Sequence, residues 1–275
     1  MDPLELPRRR VLLCSIDGCR PDGLAAAQTP VIDSLIARGA STLTARTVMP
    51  SSTLPCHTSM LRGVPPERHG ITSNTFTPLV RPVPSLMEAA SSAGRKVGFF
   101  YNWEQLRDLA APGYLDASMC YGNAVAPETD PWVAEQAVAH FAKFDFDLVF
   151  VYFGHTDEVG HIHGWMSEPY LEAIAGADRC LGVVIDGLKA AGRWDETITC
   201  VVSDHGGHGR SHGTECDEDM TIPWILHGPG VRCGVELQEP VRIFDTCPTL
   251  ASAMGVPLAR EWDGRVVREA LVGWQ

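Results

Sequence analysis

The stretch DLVFVYFGHTDEVGH, residues 147–161, decides how the chain folds. From Leu148 to Phe153 every side chain is apolar or aromatic, so the run reads as a strand buried on both faces. A sheet covered on both faces needs helices above and below it. Just past the strand come Asp157 and His161, polar residues at its carboxyl end. Two other segments repeat the arrangement. RRVLLCSID (9–17) is a buried strand ending on Asp17, and TITCVVSD (197–204) ends on Asp204 with His205 directly after it.

Outward from these strands the pattern alternates. TPVIDSLIARG (29–39) has helical period and stops at Gly39. PSLMEAASSAG (84–94), PWVAEQAVAHFAKF (131–144), the long EPYLEAIAGADRCLGVVIDGLKAAG (168–192) and IFDTCPTLASAMG (243–255) are also helical, and a short helix starts near Thr53. STLTARTV (41–48), KVGFFYN (96–102) and IPWILHG (222–228) are further strands. Strands separated by helices predict an α/β fold: a mostly parallel central sheet with helices on both faces. Residues 103–130, with their Gly, Pro and Asn, read as a long surface loop. With no repeat, low-complexity tract or dividing linker, residues 1–275 read as a single compact domain with no large insertion.

Asp plus Glu number 34 against 22 Lys plus Arg, a formal charge of −12. That balance argues against a broad nucleic-acid or anionic-membrane surface, which needs clustered basic charge. The nine cysteines are odd in number, scattered, and never spaced CxxC. Such usage in a long chain points to a reduced, cytoplasmic setting rather than a disulfide framework. The apolar run in MDPLELPRRRVLLCSIDG is too short for a signal peptide or a membrane span.

In open α/β sheets, ligands gather beyond the carboxyl ends of the strands. That rule brings Asp17, Asp157, His161, Asp204 and His205 to one rim, together with Thr53 in VMPSSTLPCH. The stretch VVSDHGGHGRSHGTE (201–215) adds His208 and His212. Aspartate and histidine donors without thiolates fit zinc, manganese or iron. Each signal alone is ordinary: Asp17 can cap a turn, and Asp157 with His161 can be a surface pair. Their recurrence at strand ends is what points to a metal centre.

Taken together, the motifs resemble the alkaline phosphatase superfamily, in its type I phosphodiesterase/nucleotide pyrophosphatase branch. SIDGCRPD (15–22) is similar to the first metal motif. PSSTLPCHTSMLRGVPPERHGITSN (50–74) is similar to the nucleophile segment. DEVGHIHG (157–164) and SDHGG (203–207) match the later metal motifs, and IPWILHGPGV (222–231) and DTCPTLASAMGVPLAREWDG (245–264) resemble the closing elements. The resemblance implies an alkaline-phosphatase-like fold and two divalent ions, usually zinc. One ion would be held by Asp17, Asp204, His205 and the Thr53 oxygen. The other would be held by Asp157, His161 and a histidine of the 201–215 stretch. His212 is preferred over His208, because SHGT ahead of the IPWIL strand resembles the last ligand position.

The implied chemistry is hydrolysis of a small phosphate ester. Coordination favours the alkoxide of a threonine hydroxyl as it does that of bound water. A helix starting at Thr53 adds a favourable dipole for phosphate. Two dications against Asp17, Asp157 and Asp204 leave one net positive charge, suited to an anionic substrate. Thr53 would attack to give a phosphothreonine that water then hydrolyses, and Asn74, in the H-G-I-x-x-N position, would hold a non-bridging oxygen. Ser51 and Ser52 are fallback nucleophiles. His57 and His69 read as structural, and His155 and His163 as supports or surface residues. Cys56 suggests a sulfatase, but it is followed by HTSM rather than C-x-P-S-R.

Two features depart from the nucleotide-cleaving pattern. Only six residues separate His205 from His212, where those members carry a long insertion. Leu54 stands where they often have a base-stacking aromatic, although Tyr152 matches another aromatic of that pocket. Leu54 and Tyr152 are therefore the expected substrate-contacting positions, and the leaving group is open. A phosphomonoesterase, a phosphonate hydrolase and an inactive binding homologue are the alternatives; the sequence is silent on oligomeric state.

Overall fold

The computed structural model describes residues 9–79, 82–111 and 113–273. The reading of the N-terminal residues before Arg9 lies outside them. Among the described residues, eight strands form one sheet: β1 (Arg10–Ile16), β2 (Ala40–Arg46), β3 (Val97–Tyr101), β4 (Ala117–Cys120), β5 (Leu148–Phe153), β6 (Thr197–Val202), β7 (Thr221–His227) and β8 (Val235–Glu236). Their order is β4-β3-β5-β1-β6-β7-β2-β8. The helices are α1 (Pro21–Ala26), α2 (Pro30–Arg38), α3 (Thr53–Arg62), α4 (Pro66–His69), α5 (Leu86–Ser92), α6 (Thr129–Phe141), α7 (His155–His163), α8 (Glu168–Ala190), α9 (Asp217–Met220) and α10 (Thr246–Ala253).

The uninterrupted apolar runs divide their side chains between two cores. On β5, Leu148, Phe150 and Tyr152 face one layer, and Val149, Val151 and Phe153 face the other. Strand β1 does the same, with Val11 and Leu13 against Leu12, Cys14 and Ile16. Helices α3, α5 and α10 cover the first face, and α1, α2, α6, α7 and α8 the second. Period-two alternation puts an apolar side chain into each layer at every step. Each fully buried Leu, Ile or Phe contributes about 1.5–3 kcal/mol relative to exposure.

Strands β4, β3, β5, β1 and β6 pair in parallel, so their carboxyl ends share one rim. Strand β7 runs antiparallel to both β6 and β2. The reversal has a local reason: residues 203–220 join β6 to β7 at that rim without a crossover helix, which an antiparallel neighbour permits. The connection carries His205, His208 and His212, and so holds them over the sheet edge.

One expectation is corrected. Residues 103–130 are not a plain surface loop: a 3-10 turn at Glu104–Leu109 buries Leu106 and Leu109, and Ala117–Cys120 pairs with β3 as the edge strand β4. A four-residue edge strand with alternating half-buried and exposed positions has no apolar run to announce it.

Candidate active site

The site is assembled around Gly18. Its backbone has φ +64°, in the left-handed region, and a Cβ there would lie 3.0 Å from Asp157 Oδ1. Glycine at this turn lets three aspartates from three strand ends meet. Asp17 N donates to Phe153 O at 3.0 Å, tying the end of β1 to the end of β5. Gly18 N donates to Asp204 Oδ1 at 3.1 Å. The Gly18 carbonyl accepts from Trp165 Nε1 at 2.9 Å and from the Tyr170 hydroxyl at 2.8 Å. Beyond β6, Ser203 Oγ donates to the His205 carbonyl at 2.7 Å and accepts from Cys19 N at 2.9 Å, which sets the turn that presents Asp204 and His205.

Two groups of donors result. In the first, Asp17, Asp204 and His205 converge. His205 Nε2 lies 3.3 Å from Asp17 Oδ1, 3.3 Å from Asp204 Oδ2 and 3.3 Å from Thr53 Oγ1. In the second, Asp157, His161 and His212 converge. Asp157 Oδ2 is 3.4 Å from His161 Nε2, and Asp157 Oδ1 is 3.7 Å from His212 Nε2. The rings of His205 and His212 stack at 3.8 Å, so the groups adjoin. Asp157 and His161 share one face of α7 by their i, i+4 spacing.

Three observations test whether a cation fits. Asp17 Oδ1, Asp157 Oδ1 and Asp204 Oδ2 are buried without a hydrogen-bond partner, one oxygen from each aspartate. Buried polar atoms are rarely left so. Next, His205, His161 and His212 each use Nδ1 on a backbone carbonyl: Gly206 O at 2.8 Å, Arg210 O at 3.0 Å and Ser51 O at 2.8 Å. A carbonyl only accepts, so Nδ1 carries the proton and each Nε2 can present a lone pair, as a metal-ligating histidine requires. Finally, ligands about 2.0–2.2 Å from a tetrahedral ion lie roughly 3.3–3.6 Å apart. The separations of 3.3–3.4 Å match that edge length, and Asp157–His212, at 3.7 Å, is slightly longer. The residues fit.

Electrostatics agree. Burial, with Asp204 and Asp157 nearby, holds the Asp17 carboxyl well above its usual range. Burial and Asp157 push Asp204 up to about 8. Burial works most strongly against the Asp157 carboxylate, but the hydrogen bond with His161 and the nearby His205 and His212 together outweigh it and leave Asp157 below the usual range. The bond to Asp157 pushes His161 up to about 9, so without cations a proton sits where an ion would. Burial and His212 push His205 down to about 3, keeping it neutral.

Thr53 is the first residue of α3 and is buried beside His205. Asn74 Oδ1 accepts from Leu54 N at 3.0 Å. This directs the amide oxygen to the helix and leaves the Asn74 NH2 group as the donor. Leu54 and Tyr152 differ from expectation. Leu54 is 0% exposed within the core, and Tyr152, 2% exposed, donates its hydroxyl to Asp17 Oδ2 and meets the His57 ring edge-on at 5.2 Å. Neither presents a face to a ligand, because the strand and helix that carry them turn both inward. The substrate-contact reading of these two is corrected.

His57 and His69 have both ring nitrogens engaged. His57 meets Thr53 O at 2.8 Å and Ser15 Oγ at 2.8 Å; His69 meets Ser59 Oγ at 2.9 Å and Ile71 N at 3.1 Å. His155 Nδ1 meets Ala124 O at 3.1 Å. Cys56 is fully buried and its thiol is pushed up by burial. His208, Cys216 and Asp219 form a third group, but this one closes on itself. Asp219 takes His208 Nδ1 at 2.8 Å on one oxygen and Thr214 N and Oγ1, at 2.9 and 2.8 Å, on the other. It holds the 206–219 connection in shape. The supports at Trp165, Tyr170 and Ser203 escaped the sequence reading, since no local pattern marks a contact across more than a hundred residues.

A model of the family described as type I phosphodiesterase / nucleotide pyrophosphatase matches residues 11–105 and 123–218. The chain belongs to this family. Among relatives, ectonucleotide pyrophosphatase/phosphodiesterase family member 1 of Mus musculus is 29% identical over 230 residues, covering 74% of this chain and 24% of that protein. Family member 5 of Homo sapiens is 25% identical over 243 residues, covering 80% and 48%. The chain thus spans about a quarter to a half of the curated relatives it matches. Among solved structures, an inactive threonine-to-alanine variant of the murine family member 5, in complex with AMP, superposes with a TM-score of 0.82 at 17% identity, over 96% of this chain and 100% of that one. The phosphonate monoester hydrolase of Agrobacterium radiobacter gives 0.76 at 16% identity, over 98% and 79%. The family's alkaline-phosphatase-like fold is the architecture described above. No helix among the described residues is long and apolar enough to cross a membrane.

Proposed function

We propose that the chain hydrolyses phosphate esters, diesters foremost, with Thr53 as nucleophile in a site for two divalent cations, zinc before manganese or iron. The observation that carries the reading is the pair of adjoining donor groups, each with a buried, unpartnered carboxylate oxygen, beside one buried threonine hydroxyl. Asp17, Asp204, His205 and Thr53 would hold one ion, and Asp157, His161 and His212 the other. When bound, the cations would favour ionisation of hydroxyl groups and offset the charge of the phosphate.

The residues supply the rest. The start of α3 directs its dipole at an anion near Thr53. The Asn74 NH2 group donates to a non-bridging oxygen, its orientation held by Leu54 N. Thr53 Oγ forms a bond to phosphorus as the ester oxygen leaves, giving a phosphothreonine. Water then cleaves that bond and restores the hydroxyl. The compact His205–His212 spacing keeps a second reading, cleavage of a phosphomonoester or a phosphonate on the same core. Bis(p-nitrophenyl) phosphate is expected to turn over at least tenfold faster than p-nitrophenyl phosphate in kcat/KM; the reverse ranking sinks the diesterase reading.

The two histidines give a second test. In metal-stripped protein titrated with zinc, His212→Ala is expected to bind one ion fewer than wild type, and His208→Ala the same number. Wild-type uptake in His212→Ala, with one ion lost in His208→Ala, would replace His212 by His208 in the ligand set. We further read the chain as one domain working in a reducing, cytoplasmic setting, a reading supported by nine free thiols, six of them buried.

A further inference from the structure

Helix α7 carries Asp157 and His161, yet it lacks a side-chain cap of its own. Its N-cap is Gly154, with no side-chain cap hydrogen bond. The first N–H groups of a helix have no partner within the helix and must find one elsewhere. Here the partners come from other elements. Asn102, fully buried just past β3, accepts from Gly154 N through Oδ1 at 3.2 Å. Asp130, buried in the first turn of α6, accepts from His155 N through Oδ1 at 3.3 Å. The two side chains are joined: Asn102 Nδ2 donates to Asp130 Oδ1 at 2.7 Å and to Thr129 Oγ1 at 2.9 Å.

Strands β3 and β5 are parallel neighbours, so Asn102 and Gly154 leave the sheet side by side at the same rim. The Asp130 carboxylate also lies where the α7 dipole favours negative charge. On that side the helix also packs Val159 into the core shared with α8 and holds the His155 ring on Ala124 O at 3.1 Å. An open groove of about 710 Å³ runs along the helix there, lined by Asp130, His155, Val159, Ile162 and His163. Asp157 and His161 project from the opposite face. The hold on the start of α7 therefore falls to Asn102 and Asp130, which take the backbone N–H groups of Gly154 and His155.

We propose that Asn102 and Asp130 are positioning residues that cap α7 from outside and thereby set the Asp157/His161/His212 site, leaving the Asp17/Asp204/His205 site unaffected. The inference rests on the two-ion reading for its effect on metal binding, but its effect on α7 stands apart from that reading.

The test uses the full chain, stripped of metal and titrated with zinc. Asp130→Ala is expected to keep one ion at wild-type affinity and to bind the other roughly 10–100-fold more weakly. Asp130→Asn keeps an acceptor oxygen in place and is expected to stay within about threefold of wild type. In a His161→Ala background, Asp130→Ala should have no further effect on the remaining ion. Weakening of both ions alike, or of neither, overturns the proposal. Hydrogen exchange on the metal-free proteins provides the second arm: amides of 154–163 should exchange about tenfold faster in Asp130→Ala, a typical effect of losing a cap, while those of 53–62 stay unchanged. Unchanged α7 protection, or a uniform rise, overturns it. If wild type takes up fewer than two ions, the two-ion reading fails and the exchange result alone decides the capping role. Should Asp130→Ala not fold, Asn102→Ser, which shortens the acceptor away from Gly154 N, carries both arms.

Discussion

Thr53→Ala is expected to leave metal uptake intact while turnover of bis(p-nitrophenyl) phosphate falls on the order of a million-fold, the scale of loss when a nucleophile is removed and binding is kept. The reasoning is geometric. Thr53 Oγ1 lies 3.3 Å from His205 Nε2, within the first donor group, but Asp17, Asp204 and His205 remain as three ligands without it. Truncating the side chain leaves the α3 backbone, the Asn74–Leu54 contact and the second donor group in place. Thr53→Ser should retain far more activity than Thr53→Ala, because the hydroxyl survives. Steady-state kinetics beside metal analysis decide the matter: undiminished turnover in Thr53→Ala removes this residue as nucleophile and returns attention to Ser51 and Ser52.

Asp204→Asn is expected to abolish activity and yet to stabilise the metal-free protein above neutral pH. Asp204 is fully buried, and burial together with Asp157 pushes its carboxyl up to about 8. In the unfolded chain it titrates near 3.9. Because the folded pKa is the higher one, the folded state holds a proton that the unfolded state has released. Its contribution to stability is complete below about pH 4 and is lost as the pH rises through about 8. Metal-free wild type should therefore melt at progressively lower temperature across that window. Asparagine has no such charge to suppress, so the variant's melting temperature should depend less on pH. Zinc should raise the melting temperature of wild type most at the alkaline end, where ions no longer compete with bound protons. Thermal melts from pH 5 to 8, with and without zinc, test this. Identical pH profiles for wild type and Asp204→Asn would contradict the electrostatic picture of the site.

The site is costly to fold without its ions. Three aspartates meet around Gly18, and burial raises two of them while His161 pairs the third. An arrangement that disfavours its own charge tends to persist for function rather than for stability.

Much of this was legible in the residue order. Continuous apolar runs such as Leu148–Phe153 marked strands that serve two cores. The aspartates closing β1 and β6 stood where open sheets collect ligands, and Gly39 ended its helix as expected. These signals are local: period, punctuation and the type of residue at a strand end. Leu54 and Tyr152 could not be read the same way. A leucine beside a nucleophile, or a tyrosine near a strand end, carries no mark of which layer it enters. The edge strand β4 was missed for a related reason, since its pairing with β3 and not its own composition makes it a strand.

From the sequence alone came the strand–helix alternation and the polar residues at the strand ends. Tertiary structure shows which histidine faces which carboxylate. His212 turns to Asp157 while His208 turns to Asp219, although only three residues separate them. It also reversed β7, drew Leu54 and Tyr152 inward, and joined Asn102 and Asp130 to the start of α7. Backbone periodicity is set by neighbours along the chain, whereas these contacts depend on how separate strands and helices pack.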